Sequence, residues 1–390
     1  MKSLISTPKM IGNMQKSPQE NLIKYYGLPF SLWLTTVYGC PQWGFIFVAI
    51  ISLLSPTSTP KESNFYRKEL FWLAAITVAC SLNFTIGLYF GSPQSINRSP
   101  YFIGLIVTFL IASKLEKKQL IAISWLTAIE CLILFIEFIL KINTVFTYHP
   151  EYKSGIDYSY IYWGRPFGLS DGSNSFAIKL VIALGIVNYL METQWKKHLL
   201  QGIIISALII NFSRSAFIAI IFHYIFLYNF HHNNKNLYRK LSAAIIAIIS
   251  TIIITNPFNI ASKIAFHLNH GKKTIDYSYR DEIWKSCINF ITNNPILGNN
   301  SSRFYIWNAD YKQWEHAHNS FLHLITSNGI LITGLISFWI LKHVSKHNFG
   351  LLLPLIIFSM GQYGIFWSIS IQDVLFINLL IFSKNYRTQK

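Results

Sequence analysis

The sequence predicts an all-α, polytopic transmembrane helix bundle of about 12 spans, and three observations predict it. Hydrophobic residues make up 52% of the chain and aromatic residues 16%, against only 13% charged. Apolar runs near the length needed to cross a bilayer recur along the 390 residues, with short basic connections between them. The mean hydropathy is positive, at +0.36, which sets the soluble-enzyme class aside.

Residues 1–24 are polar and carry Lys2, Lys9, Lys16 and Lys24. They lack the apolar core and small-residue cleavage site of a signal peptide, so insertion is expected to depend on the first spans. Those are expected at 29–40 and 44–54, a pair short enough to turn tightly at Pro41. Further spans follow at 70–90, 101–113, 120–140, 176–191, 199–212, 216–229 and 241–255. A long polar stretch, 256–320, precedes the tenth span at 321–341, and spans at 351–367 and 369–382 complete the bundle. Lys and Arg gather in alternate connections, as at Lys114, Lys117 and Lys118, or Lys196 and Lys197, or Lys342 and Lys346. By the positive-inside rule these connections and both termini are cytoplasmic. The formal charge of +17 is then a topogenic signal rather than the footprint of a nucleic-acid binder. Cys40, Cys80, Cys131 and Cys287 show no CxxC or paired loop spacing, so neither a disulfide framework nor a zinc site is indicated. Residues 1–390 read as a single integral-membrane domain.

The connections on the opposite side, 91–100, 141–175, the turn 213–215 and 256–320, hold most of the polar residues that a bundle does not need. The last is long for a loop and is expected to be partly helical. Ile283, Trp284, Cys287, Ile288 and Ile291 follow helical spacing, with Asp281 and Glu282 in the first turn and Asn294-Pro295 as a stop. Arg165, Arg214, Arg280, His316 and His318 all emerge on this side. Arg214 is the sharpest case, because Asn211-Phe212-Ser213-Arg214 leaves almost no loop to carry it away from the bilayer. An arginine costs about 2.5–3.5 kcal/mol at a helix centre and less near the interface. It either snorkels to lipid phosphates or holds an anionic ligand. Guanidinium forks suit phosphate, and two or three facing one cavity suit a pyrophosphate.

His318 precedes Asn319 and Ser320, which are placed to cap the next helix. An imidazole held there serves either as a general base near neutral pH or as an interfacial capping group. His316 and His318 with Asp310 or Glu315 lack a third well-spaced ligand, so a metal is disfavoured. Glu130 and Glu137, seven apart, share one helix face as polar contacts within the bundle, and Lys179 is expected to snorkel outward.

The order of these motifs resembles the O-antigen ligase family, within the group that also holds O-antigen polymerases and protein O-oligosaccharyltransferases. It runs from Arg165-Pro-Phe-Gly168 to Ser213-Arg214, Arg280 with Trp284, Asn294-Pro295 with Gly298, and His316-Ala-His318-Asn319, then a helix with Gly329 and Gly334. The resemblance implies a multi-pass glycosyltransferase of the bacterial inner membrane with its active site facing the periplasm. Its donor would be a glycan on undecaprenyl pyrophosphate and its acceptor the lipid A core oligosaccharide. His318 would be the catalytic base. Arg214 and Arg280 would be catalytic cations that hold the pyrophosphate with Arg165, and His316, Asn319 and Trp284 further substrate contacts. No cofactor, nucleotide or metal is implied, and the partners are the two substrates and membrane lipids. Asn299-Asn300 stand where members often show a second glycine, so the turn there is expected to differ. A polymerase would use the same donor chemistry with another acceptor. A lipid-linked glycan flippase or transporter would need a hydrated path and a sealed membrane, whereas transfer survives in detergent.

Overall fold

The computed structural model describes residues 26–54, 63–94, 100–101, 104–140, 166, 168–170, 172–230, 280–308, 313–367 and 370–386. The expected span at 241–255 and Arg165 lie outside the described residues. The described chain is mostly helical: α1 (Leu28–Leu34), α2 (Pro41–Leu54), α3 (Ser63–Phe90), α4 (Leu105–Ala112), α5 (Lys117–Leu140), α6 (Ser173–Leu190), α7 (Gln194–Asn211), α8 (Arg214–Phe230), α9 (Arg280–Asn293), α10 (Ser320–His343), α11 (Lys346–Gly361) and α12 (Ile371–Ile381). Two short strands, β1 (Ile306–Asn308) and β2 (Gln313–Glu315), stand between α9 and α10.

Among the described residues, four helices, in α3, α5, α6 and α10, are long and apolar enough to cross a membrane, while α8, α11 and α12 are shorter apolar helices. α3 turns Phe71, Val78, Leu82 and Ile86 outward, and α5 turns Ile129, Leu132 and Ile136 outward. Apolar stripes of this size are not left to water, and acyl chains cover them in a multi-pass membrane protein. α6 has no such stripe. It is buried on nearly every side and packs against α5, α7 and α11, as suits a helix that is apolar all round. Two expected spans are shorter than their apolar runs: α1 gives way to turns after Leu34, and the run to residue 367 is helical only as far as Gly361.

α10 is broken at Gly329, whose φ of 70° and ψ of 179° fall where only glycine sits comfortably. The 295–301 turn takes up the backbone groups that the break releases. Asn299 N–H donates to Thr326 O, Ser301 N–H to Ser327 O and Ile330 N–H to Pro295 O, each at 2.8 Å. Non-helical backbone at membrane depth persists where protein satisfies it in this way. The contact needs bare backbone on both sides: a Cβ on Gly298 would lie 2.4 Å from Gly329 N, and one on Gly329 would lie 2.1 Å from Ile296 O. α3 forms the third wall, with Asn83 Nδ2 donating to Leu297 O and Ser301 Oγ at 3.0 Å each. Asn300 and Ser301 both adopt a left-handed φ of 53°. In the absence of the second glycine, the turn is made by an asparagine, which tolerates that region, with its side chain donating to Asn83 Oδ1 at 3.2 Å.

Lys179 does not snorkel, contrary to the expectation from its position. It is 5% exposed, and its Nζ donates to both Glu130 carboxylate oxygens at 2.7 Å and to Thr36 Oγ1 at 3.0 Å. Glu130 on α5 captures it because either charge alone would be stranded among apolar side chains. Glu130 also accepts from Leu169 N–H and Ser170 O–H, at 3.1 Å each, and Glu137 accepts from Gly168 N–H at 2.8 Å. The two acids are contacts within the bundle, as expected, and together they pin the 168–170 turn.

Two stability outcomes follow. Gly329→Ala is expected to lose about 3 kcal/mol or more, seen as a lowered denaturation midpoint in detergent. Gly334→Ala, with nothing within 4 Å of its new Cβ, is expected to stay within about 1 kcal/mol of wild type. Lys179→Met is expected to cost about 3–5 kcal/mol by leaving the Glu130 carboxylate buried and unpaired, and adding Glu130→Gln is expected to recover part of the loss in the same assay.

Candidate functional site

α9 begins at Arg280, carries Asp281 and Glu282 in its first turn where the helix dipole favours acids, and stops shortly before Pro295. Of the residues in the amphipathic spacing, Ile283 and Cys287, one turn apart, are buried with Phe304 and Ala317, whereas Ile288 is exposed. Trp284, one turn beyond Arg280, donates its indole N–H to Ala317 O at 2.9 Å. That bond fastens α9 to the backbone between the two histidines. β1 and β2 pair antiparallel, Ile306 opposite Glu315 and Trp307 opposite Trp314, and β2 leads straight into His316. The sequence reading did not foresee these strands, because three residues are too few for an alternating pattern to show.

His318 adopts a left-handed φ of 47°. Asn319 behind it caps α10, its side-chain oxygen accepting from Phe321 N–H at 2.9 Å and Leu322 N–H at 3.0 Å. Asn319 Nδ2 donates to Met360 O at 2.9 Å, and Ser320 Oγ accepts from the amides of Gly364 and Ile365. His318 is thereby held by a rigid element rather than a free loop. Its side chain is 27% exposed, with Nε2 3.4 Å from Glu315 Oε2. Its Nδ1 is buried without a hydrogen-bond partner, so Nε2 is the nitrogen within reach of solvent. His316 Nδ1 accepts the His318 N–H at 3.1 Å, which assigns the proton of a neutral ring to Nε2. Burial, then the neighbouring His318 and His323, hold His316 well below the usual histidine range.

Arg214 opens α8 after a corner in which Phe212 adopts a left-handed φ of 56°. Asn211 Nδ2 donates to Pro166 O at 3.2 Å and Ser213 O–H to Asn174 Oδ1 at 3.3 Å, so the corner is tied to the segment that follows Arg165. α8 packs along α11, and a Cβ on Gly361 would lie 2.9 Å from Ser215 Oγ. Met360, whose carbonyl Asn319 holds, precedes Gly361. The Arg214 corner and the His318 corner therefore meet at the end of α11, and Arg280 approaches the same place through Trp284. Arg214, Arg280, Trp284, His316, His318 and Asn319 lie at one end of the bundle.

The 362–367 segment, read from sequence as part of a span, contributes to this end as well. Tyr363 and Trp367 stack with ring centroids 3.9 Å apart, and His316 lies 5.0 Å from Tyr363 and 5.9 Å from Trp367. Arg303 places its guanidinium carbon 5.2 Å from the Trp367 ring. None of the three was foreseen, although Gly361-Gln362-Tyr363-Gly364 is a visible interruption in an apolar run. Glu315 was weighed in sequence only as a metal ligand, and it instead faces the reachable nitrogen of His318.

The family model described as O-Antigen ligase matches residues 199–338, just over a third of the chain. The matched stretch runs from α7 into α10 and holds six of the seven residues expected to form the site, Arg165 being the exception. No curated protein and no solved structure matches the chain.

A pH dependence follows from the neutral His316. The unfolded chain protonates this ring near its ordinary value of 6.5, while the folded protein resists protonation until well below it. The unfolded state therefore binds more protons as pH falls through that range, and stability is present above about 6.5 and lost below it. The denaturation midpoint in detergent is expected to decline between about pH 7 and pH 5, and His316→Gln is expected to reduce the slope.

Proposed function

We propose, from the premise that residues 199–338 belong to the O-antigen ligase family, that this chain transfers a glycan from undecaprenyl pyrophosphate to the lipid A core oligosaccharide. The reaction takes place on the periplasmic face of the bacterial inner membrane. The observation that carries this reading is His318, fixed by the α10 cap, with its reachable nitrogen beside a carboxylate and at the meeting point of the arginine-bearing corners.

His318 Nε2 takes the proton of the acceptor hydroxyl as its oxygen attacks the anomeric carbon. The bond from that carbon to the pyrophosphate oxygen breaks, and its electron pair leaves with the pyrophosphate. Glu315 stabilises the imidazolium that forms, and attack opposite the leaving group inverts the anomeric centre. Arg214 and Arg280, with Arg165, stabilise charge developing on the pyrophosphate, a fixed electrostatic contribution that needs no reorganisation during the reaction. Arg214 is well suited because it opens a helix, where the helix dipole also favours an anion. Trp284, His316 and Asn319 position this end through the bonds described above and contact the substrates.

The test is the lipopolysaccharide and lipid-linked glycan profile of a strain lacking the protein, complemented with wild type or His318→Ala. The expected result is unmodified lipid A core with accumulated polyprenyl-linked polymer, reversed by wild type only, the variant turning over roughly 10²- to 10⁴-fold more slowly. Core bearing a single repeat unit would instead identify a polymerase, and an unchanged profile would reject glycan transfer to lipid A altogether.

A further inference from the structure

Arg303 follows the 295–301 turn. Its side chain makes one hydrogen bond, Nη2–H to Trp367 O at 3.3 Å, and its Nε–H is buried without an acceptor. Among the described residues no carboxylate pairs with it. A guanidinium has five donors in a fixed fork, and a partly buried charge whose donors go unused is costly unless an anion completes it. Stacking on Trp367 at 5.2 Å restricts the plane of that fork.

The surroundings add donors, and among the described residues the carboxylates of Glu315 and Asp373, which act on His316 and Tyr363, form no ion pair with the guanidinium. His316 lies beside the same indole and, with Nδ1 engaged by the His318 amide, has its N–H on Nε2. His323, 4.5 Å from Tyr363, is buried with neither ring nitrogen bonded. The His316 and His318 ring centroids are 4.3 Å apart, so Arg303 is linked to the base through Trp367 and His316. A staple between the turn and the 362–367 segment would need the stack and the one hydrogen bond. It would not need a buried Nε–H left without an acceptor.

We infer that Arg303 binds a phosphate group of one of the two substrates, as an anion-holding residue in addition to Arg165, Arg214 and Arg280. This rests on the glycan-transfer reading above. Phosphate presents two or more oxygens to a fork that can engage both, and it keeps its charge at neutral pH. Two sources share that chemistry, the pyrophosphate of the lipid-linked donor and a phosphate carried by the acceptor.

The test uses the full-length protein in detergent with inorganic pyrophosphate as the probe. Wild type is expected to gain a saturable rise in denaturation temperature. Arg303→Gln is expected to weaken that binding roughly tenfold or more, and Arg303→Lys, which keeps the charge but not the fork, to fall between them. The unliganded denaturation temperature and size-exclusion profile report whether each variant folds. Should the glutamine variant misfold, the lysine variant decides, because a staple role leaves its pyrophosphate affinity at the wild-type level. In steady-state transfer, a raised KM for the donor alone assigns the phosphate to the donor, and a raised KM for the acceptor alone assigns it to the acceptor. Wild-type pyrophosphate affinity together with wild-type KM values in the folded variants overturns the inference. Failure of the transfer reading is distinguishable, since wild type would then transfer no glycan while the pyrophosphate titration remained readable.

Discussion

The exchange of backbone hydrogen bonds between the 295–301 turn and the break at Gly329 governs how the functional end is assembled. It fixes the end of α9 against the middle of α10, while the His318–Asn319 cap fixes the start of α10 against the end of α11. Residues 320–329 rise about 13 Å between those two anchors. The chain from Ser302 to His316 must return over that distance, and the β1–β2 hairpin lies on this return path. The buried backbone contact and the cap thus fix both ends of the α10 stretch at whose start the site histidines stand.

α3 holds α10 on both sides of the break. Asn83 reaches the inserted turn, and further along the helix Glu69 accepts from Trp339 Nε1 at 3.0 Å and contacts His343 Nε2 at 2.8 Å and Lys342 Nζ at 3.3 Å. A helix interrupted along its length loses the continuity that normally keeps its halves in register, and these polar contacts restore it. Glu130 and Glu137 have the same kind of role on the other side of the bundle, where they secure the 168–170 turn. In low-dielectric surroundings a carboxylate that finds several donors becomes a strong positional constraint, because any displacement leaves it unpaired.

Charge at the functional end is distributed unevenly for a physical reason. His316 is partly buried and held neutral, so it supplies hydrogen bonds without adding repulsion beside Arg303. Glu315 lies next to the nitrogen of His318 that would gain charge in the proposed proton transfer. Arg214 and Arg280 open two separate helices, and the leaving group of the proposed reaction is strongly anionic.

Much of this was legible in the chain itself. Helical content, the positions of most apolar helices, the amphipathic α9 with its stop before Pro295, and the Asn319 cap followed from periodicity and capping chemistry, which act over a few residues. The motif order also pointed to the family that matches residues 199–338. Other features depended on contacts between residues far apart in sequence. Lys179 reads as a snorkelling cation until Glu130, 49 residues earlier, comes within 2.7 Å of it. Gly298 and Gly329 read as separate helix punctuation until their backbones meet, and Arg303 and Trp367, 64 residues apart, show no shared pattern at all. The sequence by itself determined which segments are helical and apolar, because local backbone preference and hydropathy are properties of neighbouring residues. Only the tertiary structure decided where a helix breaks and which buried charge finds a partner, because those outcomes depend on what another helix presents at the same depth.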